Sequence, residues 1–173
     1  LGLTYEKQND TTGFFQNSFA EYFVAKYFSD LINNFKVIYA DILFVAKYNN
    51  VRFFFDMLLV KNSKAHKAVL YKQYESLQKY DDKILTDKDE GGRSVLHLMS
   101  SWGKRHPRLK VTCEEREECQ EYTVQEDSNF DGKAETEVYF VTLEHLLTKI
   151  NVDDKDLLLE ETPLSYAIRS ESL

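Results

Sequence analysis

One helix-opening phrase occurs three times in this chain, and its spacing constrains the fold more than any other feature. Ala65-His66-Lys67-Ala68-Val69, Leu96-His97-Leu98-Met99 and Leu164-Ser165-Tyr166-Ala167 are its three versions. From His66 to His97 is 31 positions and from His97 to Ser165 is 68, close to two more units of about 33. A repeat of that period is one helical hairpin, which cannot bury its apolar face alone and stacks on a neighbour. Upstream, the run from Phe14 to Phe28 is an aromatic helix of a different kind, so the chain reads as a junction between two helical modules.

Local signals divide the chain further. Residues 1–16 read as a small β-hairpin, with alternation over Leu3-Thr4-Tyr5-Glu6 and a turn permitted by Gly13. Ser18-Phe19-Ala20-Glu21 has the spacing of a capping box, and Phe19, Tyr22, Phe23, Tyr27 and Ile32 carry the helix behind it to about Asn33. Helices are expected near 38–47 and 51–60; in the second, Phe53 and Met57 extend the apolar face almost around the helix. Residues 65–80 hold a hairpin or one long helix, and Ser94 caps a helix over 95–102 that stops at Gly103. Lys104 to Glu137 lacks an apolar period and reads as an insertion, after which pattern returns at Val138 to Leu147. Thr162-Pro163 opens the last helix with a hydroxyl cap and Pro at its first position.

Composition narrows the function classes. Six Gly and two Pro in 173 residues are too few for the turns of a β-sandwich, and 43% apolar content excludes a disordered chain. Residues 1–83 carry a balance of +2, whereas 84–173 carry −9. Between Glu114 and Glu137, ten acidic residues face only Arg116 and Lys133, a run that repels phosphate and speaks against nucleic acid as a partner. Cys113 and Cys119 make no disulfide framework and suit neither a zinc knuckle nor a redox pair, which fits a reducing, cytoplasmic setting. The most apolar stretch, Val37 to Val60, is broken by Asp41, Lys47, Arg52 and Asp56, so no membrane span is expected. The chain opens on Leu1 and reads as a fragment that stops inside a repeat.

The units resemble ankyrin repeats. Asp89-Glu90-Gly91-Gly92-Arg93-Ser94-Val95-Leu96-His97-Leu98-Met99-Ser100 follows that family's Asp-x-x-Gly-x-Thr-Pro-Leu-His-x-Ala-Ala, with Ser for Thr and Val for Pro. Thr162-Pro163-Leu164-Ser165-Tyr166-Ala167-Ile168 follows it with Ser for His, and His66-Lys67-Ala68-Val69 follows only its tail. The resemblance implies that the His97 imidazole bridges to the neighbouring repeat, not that it is catalytic. The stretch Phe14-Phe15-Gln16-Asn17-Ser18-Phe19-Ala20-Glu21-Tyr22-Phe23-Val24-Ala25-Lys26-Tyr27 is similar to the helical region after the nucleotide-binding core of NACHT-type STAND ATPases, with Gln16 where that family often has His. The family's Gly-x-x-x-x-Gly-Lys-[Ser/Thr] loop is absent from this sequence; Gly91-Gly92-Arg93-Ser94 is a turn.

One chemical lead competes with an interaction role. Asp127, Asn129 and Asp131 stand at positions 1, 3 and 5 of a calcium-type loop, with Gly132 at 6 and Glu135 at 9. Position 12, normally a bidentate Glu, is Val138.

These observations lead to an all-α expectation: a helical module with a small N-terminal β-hairpin over 1–62, then an irregular ankyrin-like helical-hairpin stack over 63–173 with an acidic insertion at about 104–137. The expected role is a protein–protein interaction scaffold, the repeat platform of a larger STAND-type signalling or defence protein. It has no catalytic residues, no cofactor, and neither nucleic acid, membrane nor small molecule as partner. Asp87, Lys88, Arg93, Trp102 and Lys155 are the candidate partner-facing residues, from their turn and inner-helix positions. The alternatives are a calcium-responsive module through 127–138 and the regulatory part of a nucleotide-driven switch.

Overall fold

In the computed structural model the described residues are 4–7, 11–14, 17–32, 36–102, 110–113, 122–125 and 132–170, and they are mostly helical. Strands β1 (Thr4–Lys7) and β2 (Thr11–Phe14) pair antiparallel with Tyr5 opposite Gly13, so Gly13 lies within a strand and not in the turn. Helices α1 (Asn17–Asp30) and α2 (Lys36–Phe44) follow, then a single 3₁₀ turn at Ala46–Tyr48 and α3 (Asn49–Leu59). Short helices α4 (Lys64–Leu70), α5 (Tyr74–Leu77) and α6 (Asp82–Thr86) lead to α7 (Val95–Trp102). Within the expected insertion, β3 (Lys110–Cys113) and β4 (Tyr122–Gln125) form a second antiparallel hairpin. Next, α8 (Gly132–Leu147) begins six residues before the apolar pattern does, and α9 (Pro163–Arg169) closes the described chain.

Helix α3 organises the packing, because both of its sides are apolar. Val51, Phe55 and Leu59 join Ala25 of α1, Tyr39, Ile42 and Leu43 of α2, and Leu158 and Tyr166 in one core. Phe53 and Val60 belong to the other, with residues of α4, α5, α7 and α8. The boundary expected near residue 62 is therefore crossed by packing: Tyr166 of α9 sits edge-on to Phe44 of α2 at 5.2 Å. The Tyr39 hydroxyl donates to the carbonyls of Phe28 and Leu31 at 3.1 and 2.9 Å, tying the end of α1 to α2.

The aromatic helix divides the residues expected on its inner face: Tyr22 sits edge-on to Phe54 of α3, and Ile32, just past the helix, packs on the core. Tyr22, Ala25 and Phe28 face the core, and Ala25 is fully buried where α1 meets α3. Phe19, Phe23 and Tyr27, three residues expected inside, are exposed. Ser18 lies inside α1 and not at its cap, and Glu21 accepts a hydrogen bond from Asn50 Nδ2 at 3.1 Å, bridging α1 to the start of α3.

Candidate functional site

The three helix-opening phrases occupy equivalent places. Ser63 caps α4, accepting from the His66 amide, and Thr162 caps α9 in the same way through the Ser165 amide. Ser94 stands in that position before α7, where its amide and hydroxyl both meet His97 Nδ1, at 3.0 and 2.8 Å. Because Nδ1 accepts there, the other ring nitrogen carries the proton, and Nε2 donates to the Glu161 carbonyl at 3.0 Å. His66 repeats this: Nδ1 meets Ser63 Oγ at 2.7 Å, and Nε2 donates to the Arg93 carbonyl at 2.9 Å. Each imidazole thus reaches from its own helix to the last residue of the next turn. Burial holds both rings below the ordinary imidazole pKa, so they are neutral.

The turns themselves are stitched edge to edge. The Glu90 amide donates to the Leu59 carbonyl at 3.2 Å, and the Leu157 amide donates to the Gly91 carbonyl at 2.9 Å. Two carboxylates organise the turn interiors. Asp89 Oδ1 accepts from the amides of Gly91 and Arg93, both at 2.9 Å. Asp156 Oδ1 accepts from the Glu161 amide at 2.9 Å, and its Oδ2 accepts from the Tyr166 hydroxyl at 2.5 Å. Gly92, with φ +70°, and Glu160, with φ 59°, take the same left-handed step two residues before the capping hydroxyl. Leu157 lies over Gly92 so closely that a Cβ there would sit 2.5 Å from Leu157 Cγ.

Beneath the turns lies a fully buried cluster of two guanidiniums and two carboxylates. Arg93 Nη1 donates to Asp56 Oδ1 at 2.5 Å, and its Nε donates to Asp89 Oδ2 at 2.7 Å. Burial alone would lower the Arg93 pKa, but Asp56 and Asp89 outweigh it and hold the guanidinium above its usual value. Asp56 Oδ2 accepts from Trp102 Nε1 at 2.8 Å. Arg52 lies flat on the Trp102 ring, 3.7 Å from its centroid, and Nη2 donates to Ser101 Oγ at 2.7 Å. Burial, opposed by Asp56 and reinforced by Arg93, lowers the Arg52 guanidinium to about 10, so it remains charged at neutral pH. The four formal charges cancel, and the cluster joins α3 to α7 and to the turn between α6 and α7.

Two of the candidate partner-facing residues are corrected by this arrangement. Arg93 and Trp102 are buried in the cluster, where their polar atoms are engaged with Asp56 and Asp89 and no partner reaches them. Asp87, Lys88 and Lys155 are exposed on the turns, and Lys88 Nζ pairs with Asp154 Oδ2 at 3.0 Å across successive turns. One turn back, Lys61 and Asn62 both engage Glu90 Oε1. An exposed, mixed-charge edge therefore runs along the turn tips. Of the calcium candidates, Asp127, Asn129 and Asp131 lie outside the described residues. Gly132 and Glu135 stand on α8.

Sequence reasoning missed Arg52, Asp56, Asp89, Asp156 and Tyr166 as members of a network. Arg52 and Asp56 carried a signal, an opposite-charge i, i+4 pair on an otherwise apolar helix, but that spacing also describes an ordinary surface pair. Among the described residues no group of three or more His, Cys, Asp or Glu is placed to hold a metal ion, and no described helix is long and apolar enough to cross a membrane. An open groove of about 570 Å³ between α5 and α8 is lined by Glu75, Gln78, Lys79, Glu137, Val138 and Val141. Compared with family models, curated proteins and solved structures, the chain gives no match in any of the three.

Proposed function

We propose that this chain is a non-catalytic interaction scaffold, a stack of ankyrin-like helical hairpins whose exposed turn edge receives a protein partner. The observation that carries the reading is the repeated imidazole bridge: His66 to the Arg93 carbonyl and His97 to the Glu161 carbonyl, at 2.9 and 3.0 Å. A bridge that recurs from unit to unit is what a stacked array requires, since each hairpin is stable only against its neighbour. Among the described residues, the buried side chains of Arg93, Asp56, Asp89 and Asp156 are engaged in holding the turns and α9 together. Phe14 to Tyr27 supports assigning residues 1–62 to the region that follows a STAND nucleotide-binding core, with the stack as its cytoplasmic sensing or docking arm.

The test is photo-crosslinking from the turn edge, with the chain and a triple variant Asp87→Lys, Lys88→Glu, Lys155→Glu compared in the cell of origin. All three residues are exposed, so the variant keeps the parent's melting curve. A crosslinked protein that disappears in the variant supports the scaffold. Stoichiometric binding of ATP or calcium to the chain, with no crosslink sensitive to these residues, would overturn it.

A further inference from the structure

The two imidazole bridges are alike in length but not in what surrounds them. At the first joint, between α4 and the turn before α7, His66 Nδ1 meets the Ser63 hydroxyl at 2.7 Å. That hydroxyl can rotate from donor to acceptor, so a second proton on the ring finds a place. At the second joint, between α7 and the turn before α9, His97 Nδ1 accepts from the Ser94 amide at 3.0 Å as well as meeting the Ser94 hydroxyl. An amide cannot reverse its role. A proton on Nδ1 there sets two N–H groups against each other. The ring relieves that clash only by leaving, which breaks the Nε2 bond to the Glu161 carbonyl.

The charges around His97 are already engaged with one another. Asp89 and Arg93 face it from its own turn, and Asp156 and Tyr166 face it from the next, with the Tyr166 ring edge-on at 5.1 Å. Asp89 is bound to Arg93 and Asp156 to the Tyr166 hydroxyl, while the Glu161 carboxylate is turned to Arg169. The joints differ also in what else crosses them. The buried Arg93–Asp56 ion pair and the Trp102–Asp56 hydrogen bond fasten the second unit to α3, on the side of the first joint. Across the second joint run the Leu157 amide to the Gly91 carbonyl at 2.9 Å, Ser170 Oγ to the Ser100 carbonyl at 3.1 Å, and the exposed pair Lys88–Asp154.

We propose that the second joint is a proton-operated hinge: protonation of His97 parts the turn at 151–162 and α9 from α7, while the first joint stays closed. Opening withdraws Leu158 and Tyr166 from the core they share with α2 and α3, and bares an apolar seam beside Phe44. The hinge depends only on the joint's own geometry, so it stands or falls apart from docking at the turn edge.

The experiment is native-state hydrogen exchange on the whole chain, read as protection factors so that the intrinsic pH dependence of exchange is divided out. Each joint carries its own reporter amide: Glu90, bound to the Leu59 carbonyl, for the first, and Leu157, bound to the Gly91 carbonyl, for the second. Leu157 should be less protected than Glu90 throughout. Its protection should fall about tenfold between about pH 7.5 and 5.5, the ratio for one imidazole with an open-state pKa of about 6.5. His97→Gln should remove that dependence, and His66→Gln should leave it. Equal protection at the two amides, or Leu157 protection that ignores pH, overturns the hinge in the wild-type chain, before any variant is made. A pH dependence that survives His97→Gln, or vanishes in His66→Gln, overturns it too.

Discussion

Arg93 is the residue on which most of the interior depends. Its guanidinium neutralises Asp56 on one side and Asp89 on the other, and all three side chains are out of water. Removing one partner of a buried pair leaves an uncompensated charge, so Arg93→Ala should cost about 3–5 kcal/mol in chemical denaturation. Trp102→Phe keeps the ring under Arg52 but deletes the donor to Asp56, and about 1–3 kcal/mol is expected from the same measurement. At the turn, Gly92→Ala forces a side chain into a left-handed step and against Leu157, at a cost of about 1–2 kcal/mol or more. Gly91→Ala is the milder change: its new Cβ meets Leu158 side-chain carbons at 3.1 Å and Asp89 Oδ1 at 3.3 Å, but no left-handed step is involved, and the loss should be smaller. These positions also mark what a sequence can and cannot disclose. The cap of the last helix was legible because Thr162-Pro163 is a local pattern, whereas the Ser63 cap of α4 was not singled out. Arg93 and Trp102 were misplaced on the surface because their partner, Asp56, lies 37 and 46 residues away, and nothing local reveals it.

Among the elements, the joints between units are set by neutral imidazoles. Both rings have a folded-state pKa below the ordinary value of about 6.5, and the unfolded chain recovers that value. Below about pH 6.5 the unfolded state therefore binds protons that the folded state refuses. Stability should be level above that pH and decline as pH falls from 6.5 towards the folded-state value. Urea midpoints between about pH 5 and 8 check this: the double variant His66→Asn, His97→Asn should be less stable at neutral pH but lose less on acidification over the window. A wild-type midpoint unchanged across that range would refute the neutral-joint account. Helix α1 shows why element existence was easier to read than element orientation. Phe19, Phe23 and Tyr27 make one apolar stripe and Tyr22, Ala25 and Phe28 another, and periodicity cannot rank them. The small Ala25 lets α1 lie close to α3, and that approach decides the matter.

The whole molecule is closed by α3, which lends opposite sides to two cores, and by α9, which returns from the far end of the chain to the first of them. Such sharing should make unfolding one event. Trp102 is the only tryptophan and lies in the second core, so its fluorescence can be compared with far-UV circular dichroism, which follows all the helices. Coincident transitions are expected; two separated ones would mean that the 1–62 and 63–173 modules melt independently. Long-range closure was the least legible feature, since neither Phe44 nor Tyr166 carries a mark of the other. It also bears on how the protein is made. Contacts between distant segments cannot form until both have been synthesised, and such contacts slow folding. While a ribosome is still working through the acidic insertion, α1, α2 and α3 are already out of the tunnel, yet the places for Leu158 and Tyr166 stand empty. The nascent chain must therefore wait with an open apolar seam, and the interval between Phe44 and Tyr166 is the period in which it most needs a chaperone's protection.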